Sequence, residues 1–245
     1  MQRRLIAFLF FWLALSAQNQ AQTRGQNNPS TDLSGYWVSL VTEDWRWRMI
    51  TPQKGDYTSV PLNPAGRRIA NAWDPAKDEA AGEQCRAYGA AAIMRVPGRL
   101  YITQPDGDTI RIETDAGTQT RSLHLGNSQP ASQEATWQGH SVAQWESGNA
   151  ARGMGGRGAT PSGSLRVVTT AMRPGYLRKN GIPYSGNAVL TEYFTRFTEP
   201  DGETYLVVMS IVEDPQYLTQ PFITSTHFRK ERDNTGWNPQ PCSAK

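Results

Sequence analysis

Three histidines are the side chains best suited to acid–base or metal chemistry near neutral pH. His124, His140 and His227 each lie near one end of a segment with the alternating pattern of a β-strand. Three imidazoles that converge can bind Zn²⁺, Cu²⁺ or Fe²⁺ and leave a coordination position open. The chain has no short His-x-His or His-Glu-x-x-His spacing. Two interpretations therefore stay open: a site for a divalent transition metal, or three histidines with ordinary local hydrogen bonds.

Glu192 is a second candidate for chemistry, because its predicted strand has apolar residues two positions before and after it. A carboxylate on an apolar face is either an acid–base residue in a pocket or half of a buried ion pair. In the first interpretation Glu192 is catalytic together with His140 from a different strand. In the second, Arg196 or Arg229 is its structural partner.

Aromatic side chains are the candidates for holding an organic ligand. Trp137, Tyr176 and Tyr184 lie in irregular segments, and Trp145 lies in a predicted strand. The interior of a small β-barrel is only wide enough for side chains, so most aromatic residues are expected to form the core. We take these four as the ligand-binding candidates.

The first residues predict the compartment. A basic head with Arg3 and Arg4 precedes an uncharged apolar run over 5–15, and small and polar residues end the segment at about 21. This is the pattern of a cleaved signal peptide over 1–21, with a retained anchor as the alternative. The run is shorter than the ~20 apolar residues of a transmembrane helix, so no stable membrane span is expected after signal removal. Residues 22–32 indicate a flexible leader, and the expected location is periplasmic or secreted.

The net charge and the cysteine count bear on the binding partners of the protein and on its disulfide bonding. The net charge of +3 falls to about +1 when Arg3 and Arg4 are removed, which gives no electrostatic basis for nucleic-acid binding. Two cysteines, Cys85 and Cys242, predict one disulfide in an exported protein, with two free thiols as the alternative. A loop of that length would stabilise the fold by ~4–5 kcal/mol in the chain-entropy model.

Alternating apolar and polar residues indicate eight or nine short strands and no βαβ unit. The segments are 33–41, 100–104, 109–114, 118–125, 140–146, 165–170, 188–197, 204–212 and 222–229. Residues 45–50 look like a continuation of the first strand, and a short N-terminal helix is expected over 64–72. Sequential hairpins favour a mostly β fold, an antiparallel up-and-down β-barrel in a single domain over 33–245, with a β-sandwich as the alternative.

Two resemblances support an exported β domain. Gly35-Tyr36-Trp37 resembles the G-x-W signature of lipocalins and other calycin barrels, which implies that Trp37 packs across the barrel floor. Longer segments resemble a widespread group of uncharacterised bacterial exported proteins. They are PLNPAGRRIANAWDP (61–75), Cys85, IMRVPG (93–98), GHSVAQWE (139–146), LTEYFTRF (190–197) and VEDPQYLTQPF (212–222). This second resemblance implies a single exported β domain and no particular reaction.

Three functions fit these observations. The leading hypothesis is an exported protein that holds a small apolar or aromatic ligand in a barrel pocket, with the loops 51–62, 126–138 and 172–186 near its mouth. The alternative is an exported lyase, isomerase or hydrolase that uses His140 and Glu192, with or without a metal. The third is an envelope-associated interaction module, which a large exposed apolar patch would favour.

Overall fold

Nine strands close into a β-barrel in the computed structural model, which describes residues 32–126, 134–146 and 163–244. The strands are β1 (Gly35–Leu40), β2 (Arg99–Thr103), β3 (Thr109–Thr114), β4 (Ala116–Gly117), β5 (Gln119–Leu125), β6 (His140–Glu146), β7 (Ser164–Thr170), β8 (Gly175–Arg178), β9 (Ile182–Tyr184), β10 (Val189–Thr198), β11 (Thr204–Glu213), β12 (Phe222–Lys230) and β13 (Gln240–Pro241). Outside the barrel, β13 pairs with β4 and β8 pairs with β9. The predicted signal peptide and nearly all of the leader lie outside the described residues.

The helices of the described residues are short, and all of them lie between β1 and β2. They are α1 (Trp45–Arg48), α2 (Pro64–Asn71), α3 (Pro75–Ala80), a 3₁₀ helix (Gln84–Tyr88) and α4 (Ala90–Ile93). Asn63 caps α2 by accepting a hydrogen bond from the Gly66 amide, and Pro64 occupies the first helical position, as predicted. No helix in the described part of the chain is long and apolar enough to cross a membrane.

The expected continuation of the first strand through 45–50 is wrong. Asp44 takes a left-handed backbone conformation with φ of 52°, and α1 begins directly after it. A left-handed residue redirects the chain, so the alternating Trp and Arg side chains of this segment belong to one helical turn. They lie in the long β1–β2 connection, outside the barrel wall.

The barrel contains a parallel strand pair among its antiparallel pairs, which corrects the predicted all-antiparallel up-and-down order. Its ring order is β1-β12-β11-β10-β7-β6-β5-β3-β2. Strands that follow one another in the chain are neighbours, but β5 and β6 are parallel, with Leu123 opposite Ser141. Strand directions cannot alternate around a ring with an odd number of members, so nine strands require a parallel pair. The mostly β prediction is confirmed, and the β-sandwich alternative is replaced by a closed barrel.

Apolar side chains on alternate strand positions pack the interior of the barrel. Trp37, Ile112, Leu165 and Phe194 are fully buried in one core cluster. The Trp37 indole N–H donates to the carbonyl of Leu33 at 2.9 Å, so its polar atom is satisfied. The core therefore occupies the space in which a ligand pocket was expected.

One polar network crosses this interior. Arg121 on β5 and Glu192 on β10 form an ion pair with a closest N–O distance of 2.7 Å, and their side chains are 2% and 0% exposed. Arg121 Nη2 also donates to Thr169 on β7 at 3.1 Å and to Ser141 on β6 at 3.4 Å. Glu192 is thus half of a buried ion pair, but its partner is Arg121 and not Arg196 or Arg229.

One end of the barrel is covered by a cap, which we define as residues 41–98, 171–188 and 214–221. These connections enter or leave the barrel at the same end, where β2, β5, β10 and β12 begin. A second core cluster lies within the cap and beneath it, and it includes Tyr57, Ala90, Leu177, Tyr184 and Leu218. Segments 51–62 and 172–186 belong to this cap, so they cover the barrel end that they were expected to leave open.

The predicted disulfide between Cys85 and Cys242 is confirmed. After β12 the tail passes over β1 and β2, where Trp237 contacts the stacked rings of Tyr36 and Tyr101. The tail then pairs with β4 through Gln240 and Pro241. The disulfide joins it to the 3₁₀ helix of the cap.

Replacing Arg121 by leucine is expected to destabilise the protein by about 3–5 kcal/mol, because Glu192 would stay buried without a cation. Changing both residues to leucine should cost less than the Arg121→Leu change alone. Urea unfolding of both single variants and the double variant measures this coupling. Arg111→Leu is the control, since its pair with Glu113 is solvent-exposed and should contribute less than about 1 kcal/mol. Additive losses would contradict a coupled network.

Replacing Cys85 and Cys242 together by serine should lower the free energy of unfolding by up to about 5 kcal/mol, since the bond closes a loop of 157 residues. Thermal unfolding with and without a reductant measures the effect. The reductant should lower the melting temperature of the wild type and leave that of the double variant unchanged. If the wild type and the double variant had equal melting temperatures without reductant, the bond would not stabilise this fold.

Candidate functional site

The three histidines do not come together. His124 and His140 stack on the outer surface of the barrel with ring centroids 5.2 Å apart. His227, on β12, is within hydrogen-bonding distance of the Thr42 hydroxyl and 3.3 Å from a Glu43 carboxylate oxygen. No group of three His, Cys, Asp or Glu side chains in the described ranges is arranged to hold a metal ion. The predicted three-histidine metal site is therefore not assembled there.

His140 and Glu192 lie on opposite sides of the barrel wall. On β6 the buried neighbours of His140 are Ser141 and Ala143, which face the core. Because strand residues alternate between faces, His140 faces outward, whereas Glu192 faces inward and is bound to Arg121. The two predicted acid–base residues do not share a cleft.

The four aromatic candidates serve mainly in packing. The hydroxyl of Tyr176 donates to Asp78 at 2.8 Å, and burial together with this bond raises its pKa to about 12. Tyr184 is fully buried, and burial raises the pKa of its hydroxyl as well. Arg173 lies 4.2 Å from the centroid of the Trp137 ring, and Trp145 packs against the barrel core. All four lie outside the lining of the cleft described next.

A cleft of about 440 Å³ lies between the cap and the tail, outside the barrel. Volumes of this size are typical of small-molecule sites. Five stretches of chain that are distant in sequence form its walls: 47–51, 87–99, 115–117, 177–179 and 238–241. At its edge, Gly117 has a φ of +74°, and a Cβ atom there would collide with the ring of Tyr88. Only glycine lets β4 approach the 3₁₀ helix this closely.

The charge of the cleft is strongly unbalanced. Its lining contains five cationic side chains and one carboxylate. The cations are Arg48, Arg95, Arg99, Arg178 and Lys179, and the carboxylate is Asp115. Asp115 already accepts the Arg99 backbone amide at 2.6 Å. The lining residues therefore carry an excess of positive charge, part of which neighbouring carboxylates offset.

Three of the five cations have acidic partners. Arg48 pairs with Glu43, Arg95 with Asp44 at 2.9 Å, and Arg99 with Glu231 at 2.9 Å. Arg178 and Lys179 have no carboxylate oxygen within 4.0 Å in the described chain. Lys179 lies 5.5 Å from the centroid of the Tyr88 ring.

Arg178 is buried in the cleft wall without a carboxylate close enough for an ion pair. It is only 4% exposed, and its guanidinium lies 4.9 Å from the Trp47 ring centroid and 5.9 Å from that of Phe222. Nη1 donates to the carbonyl of Thr58 at 2.8 Å, while Nε and Nη2 are buried and donate to no group in the described chain. Burial, followed by repulsion from Arg95, lowers the pKa of Arg178 to about 10, although Asp44 and Asp56 offset part of this shift.

Arg95 adds a third unsatisfied nitrogen. Its Nη2 is bound to Asp44, but its buried Nη1 has no hydrogen-bond partner in the described residues. Its guanidinium lies 5.6 Å from the centroid of Phe222, the ring that Arg178 also contacts. Cation–π contacts offset part of the cost of burying these charges. Three N–H-bearing nitrogens of Arg95 and Arg178 nevertheless remain unsatisfied.

The outer wall of the cleft is a flap, which we define as residues 43–56. Asp56 accepts hydrogen bonds from Arg46 at 3.0 Å and from the Trp47 indole at 3.2 Å. From the β8–β9 turn, Asn180 donates to the carbonyls of Gln53 and Asp56. These bonds fix the flap to the segment that bears Arg178, so the cleft is held in shape from both sides.

The lining has the chemistry of a binding site. It includes no histidine or cysteine, and Thr51 and Tyr88 supply its side-chain hydroxyls. Two buried guanidiniums with unused donors match an anion such as a carboxylate, whose oxygens would accept their hydrogen bonds.

Comparisons with models of known protein families, with curated proteins and with solved structures found no match. The cleft therefore has to be interpreted from its own residues.

Replacing Arg178 by methionine is expected to raise the free energy of unfolding without ligand by roughly 0.5–2 kcal/mol. A pKa that is lower in the folded chain means that folding penalises the charged form. This cost is fully present below about pH 10 and disappears as the pH rises towards the unfolded value of 12.5.

Urea unfolding at pH 7 and pH 9 tests this expectation, and both values should show the same gain. Arg229→Met, an exposed arginine on β12, is the matched control and should change stability by less than about 0.5 kcal/mol. A large loss of stability in Arg178→Met would show that the guanidinium is a net structural contributor.

Proposed function

We propose that this protein is an exported binding protein that holds a small organic anion in the cleft between cap and tail. The observation that carries the proposal is the pair of guanidiniums of Arg95 and Arg178, which line the cleft and have buried nitrogens without a hydrogen-bond partner in the described residues. Buried donors without partners are costly, and a bound anion would remove that cost.

The chemistry of the lining favours a carboxylate with an organic body. A guanidinium presents its N–H groups in a planar fork that matches two carboxylate oxygens. Trp47, Tyr88 and Leu177 supply apolar surface next to these cations. A ligand with both features would use more of the cleft than an inorganic ion.

This proposal keeps the small-molecule carrier inferred from the sequence but moves its site. Apolar side chains occupy the barrel interior, and the cap covers one of its ends. The cleft instead lies where the cap meets the tail. The proposed ligand is an anion with an apolar part, instead of the apolar or aromatic molecule expected from the sequence.

Export is the other part of the proposal. The signal-peptide pattern over 1–21 supports it, as does the disulfide, since such bonds persist in oxidising compartments. The G-x-W segment and the segments shared with bacterial exported proteins are consistent with a periplasmic or secreted carrier. The enzyme alternative has less support, because His140 and Glu192 lie outside the cleft lining.

Benzoate should stabilise the wild-type protein against thermal unfolding, whereas benzyl alcohol should not. At a benzoate concentration of about 100 times its Kd, the gain is about 2.7 kcal/mol. In Arg178→Met the benzoate effect should be lost, while Arg229→Met should respond like the wild type. Differential scanning fluorimetry at constant ionic strength measures all four cases.

Two results would contradict the proposal. One is an equal response of the wild type and Arg178→Met to benzoate, which would place any bound anion elsewhere. The other is no response of the wild type to benzoate, acetate or phosphate.

A further inference from the structure

We infer that the ligand of this cleft is an amphiphile, with an anionic head at Arg95 and Arg178 and an apolar chain that leaves across Met49 and Ile50. The inference rests on the proposed function, since it specifies which organic anion the same cleft would bind. Its evidence is separate, because it comes from apolar side chains of the flap.

The flap exposes apolar side chains where it borders the cleft. Met49 is 60% exposed and Ile50 is 67% exposed, and both line the cleft. Trp45, 66% exposed, lies on the same turn of chain. Seven large hydrophobic residues are exposed in the described ranges, and three of them lie within residues 45–50. Clustered apolar exposure of this kind marks a binding surface more often than isolated exposed residues do.

Two of the cations that line the cleft are more deeply buried than two of its apolar side chains. Arg95 and Arg178 are 7% and 4% exposed and lie at its buried end, whereas Met49 and Ile50 are mostly exposed and lie at its open end. Cations usually face water and apolar groups the interior, and these four residues have the reverse order.

A small hydrated anion would use only the buried end of this arrangement. It would satisfy the donors of Arg95 and Arg178 but leave Met49 and Ile50 in water. A ligand with a carboxylate head and a flexible hydrocarbon chain would satisfy both ends, since its chain would cover the apolar rim as it leaves the cleft. Burying that chain adds affinity in proportion to its length.

The head and the chain can be tested separately with acetate, octanoate and 1-octanol. Isothermal titration calorimetry on the full mature protein measures the three affinities, with octanoate kept monomeric. Octanoate should bind at least about tenfold more tightly than acetate, the effect of burying roughly two methylene groups. It should also bind at least about tenfold more tightly than 1-octanol, since the alcohol lacks the charge.

Matched variants assign each effect to its residues. Ile50→Ser should weaken octanoate by about threefold or more and leave acetate unchanged, since it removes apolar surface only. Ile223→Ser is the control, because Ile223 has similar exposure, 59%, on the outer face of β12 and does not line the cleft. Arg178→Met should abolish the preference for octanoate over 1-octanol.

Each contrary result identifies what is wrong. If octanoate and acetate bind equally and Ile50→Ser has no effect, the amphiphile inference fails and the anion site stands. If octanoate and 1-octanol bind equally, the head does not contact the guanidiniums and the inference is overturned. If acetate, benzoate and octanoate all fail to bind, the proposed function fails, and the exposed flap would then be examined as a contact for a macromolecule.

Discussion

The ion pair between Arg121 and Glu192 lies where the barrel departs from alternating strands. Nine strands force one parallel pair, and β5–β6 is that pair. Arg121 comes from β5, and its contacts reach β6, β7 and β10. The network therefore spans the parallel seam and two further strand boundaries. A register slip by one residue would turn Arg121 or Glu192 to the other face of the wall, so the pair also selects the register.

A buried arginine of the cap, Arg178, has different partners from Arg121. Arg121 is buried with a carboxylate that balances its charge and with two hydroxyls, although its Nε has no hydrogen-bond partner in the described residues. Arg178 is buried to a similar extent but is held by two aromatic rings and one carbonyl, without a carboxylate. A buried cation that only stabilises the fold is expected to resemble Arg121. The difference in carboxylate partners between the two arginines supports the proposal that the cap cleft, and not the barrel interior, binds the ligand.

Local sequence patterns predicted much of this fold. Alternation gave the strands, Asn63 and Pro64 marked the start of α2, and the even cysteine count predicted the disulfide. Patterns of two or four residues could not show that the ring holds nine strands, nor that Asp44 would turn the chain into α1. The partner of Glu192 was missed because Arg121 is 71 residues away and meets it across the barrel interior.

The site was missed for a related reason. Arg95 and Arg178 are ordinary isolated arginines in the sequence, and their meaning depends on Phe222, whose ring lies near both. Tyr176 and Tyr184 attracted attention as loop aromatics, yet burial in the cap uses both of them for packing.

The disulfide connects the stability of the cap with the shape of the cleft. Cys85 belongs to the 3₁₀ helix that supplies Ala87 and Tyr88 to the cleft lining, and Cys242 follows the tail residues Gln240 and Pro241, which also line it. The bond thus fixes two walls that local hydrogen bonds alone would hold weakly, since β13 and β4 pair over only two residues. A protein that keeps buried cations without close carboxylates in its cap needs stability from elsewhere, and this bond contributes it by closing a loop of 157 residues.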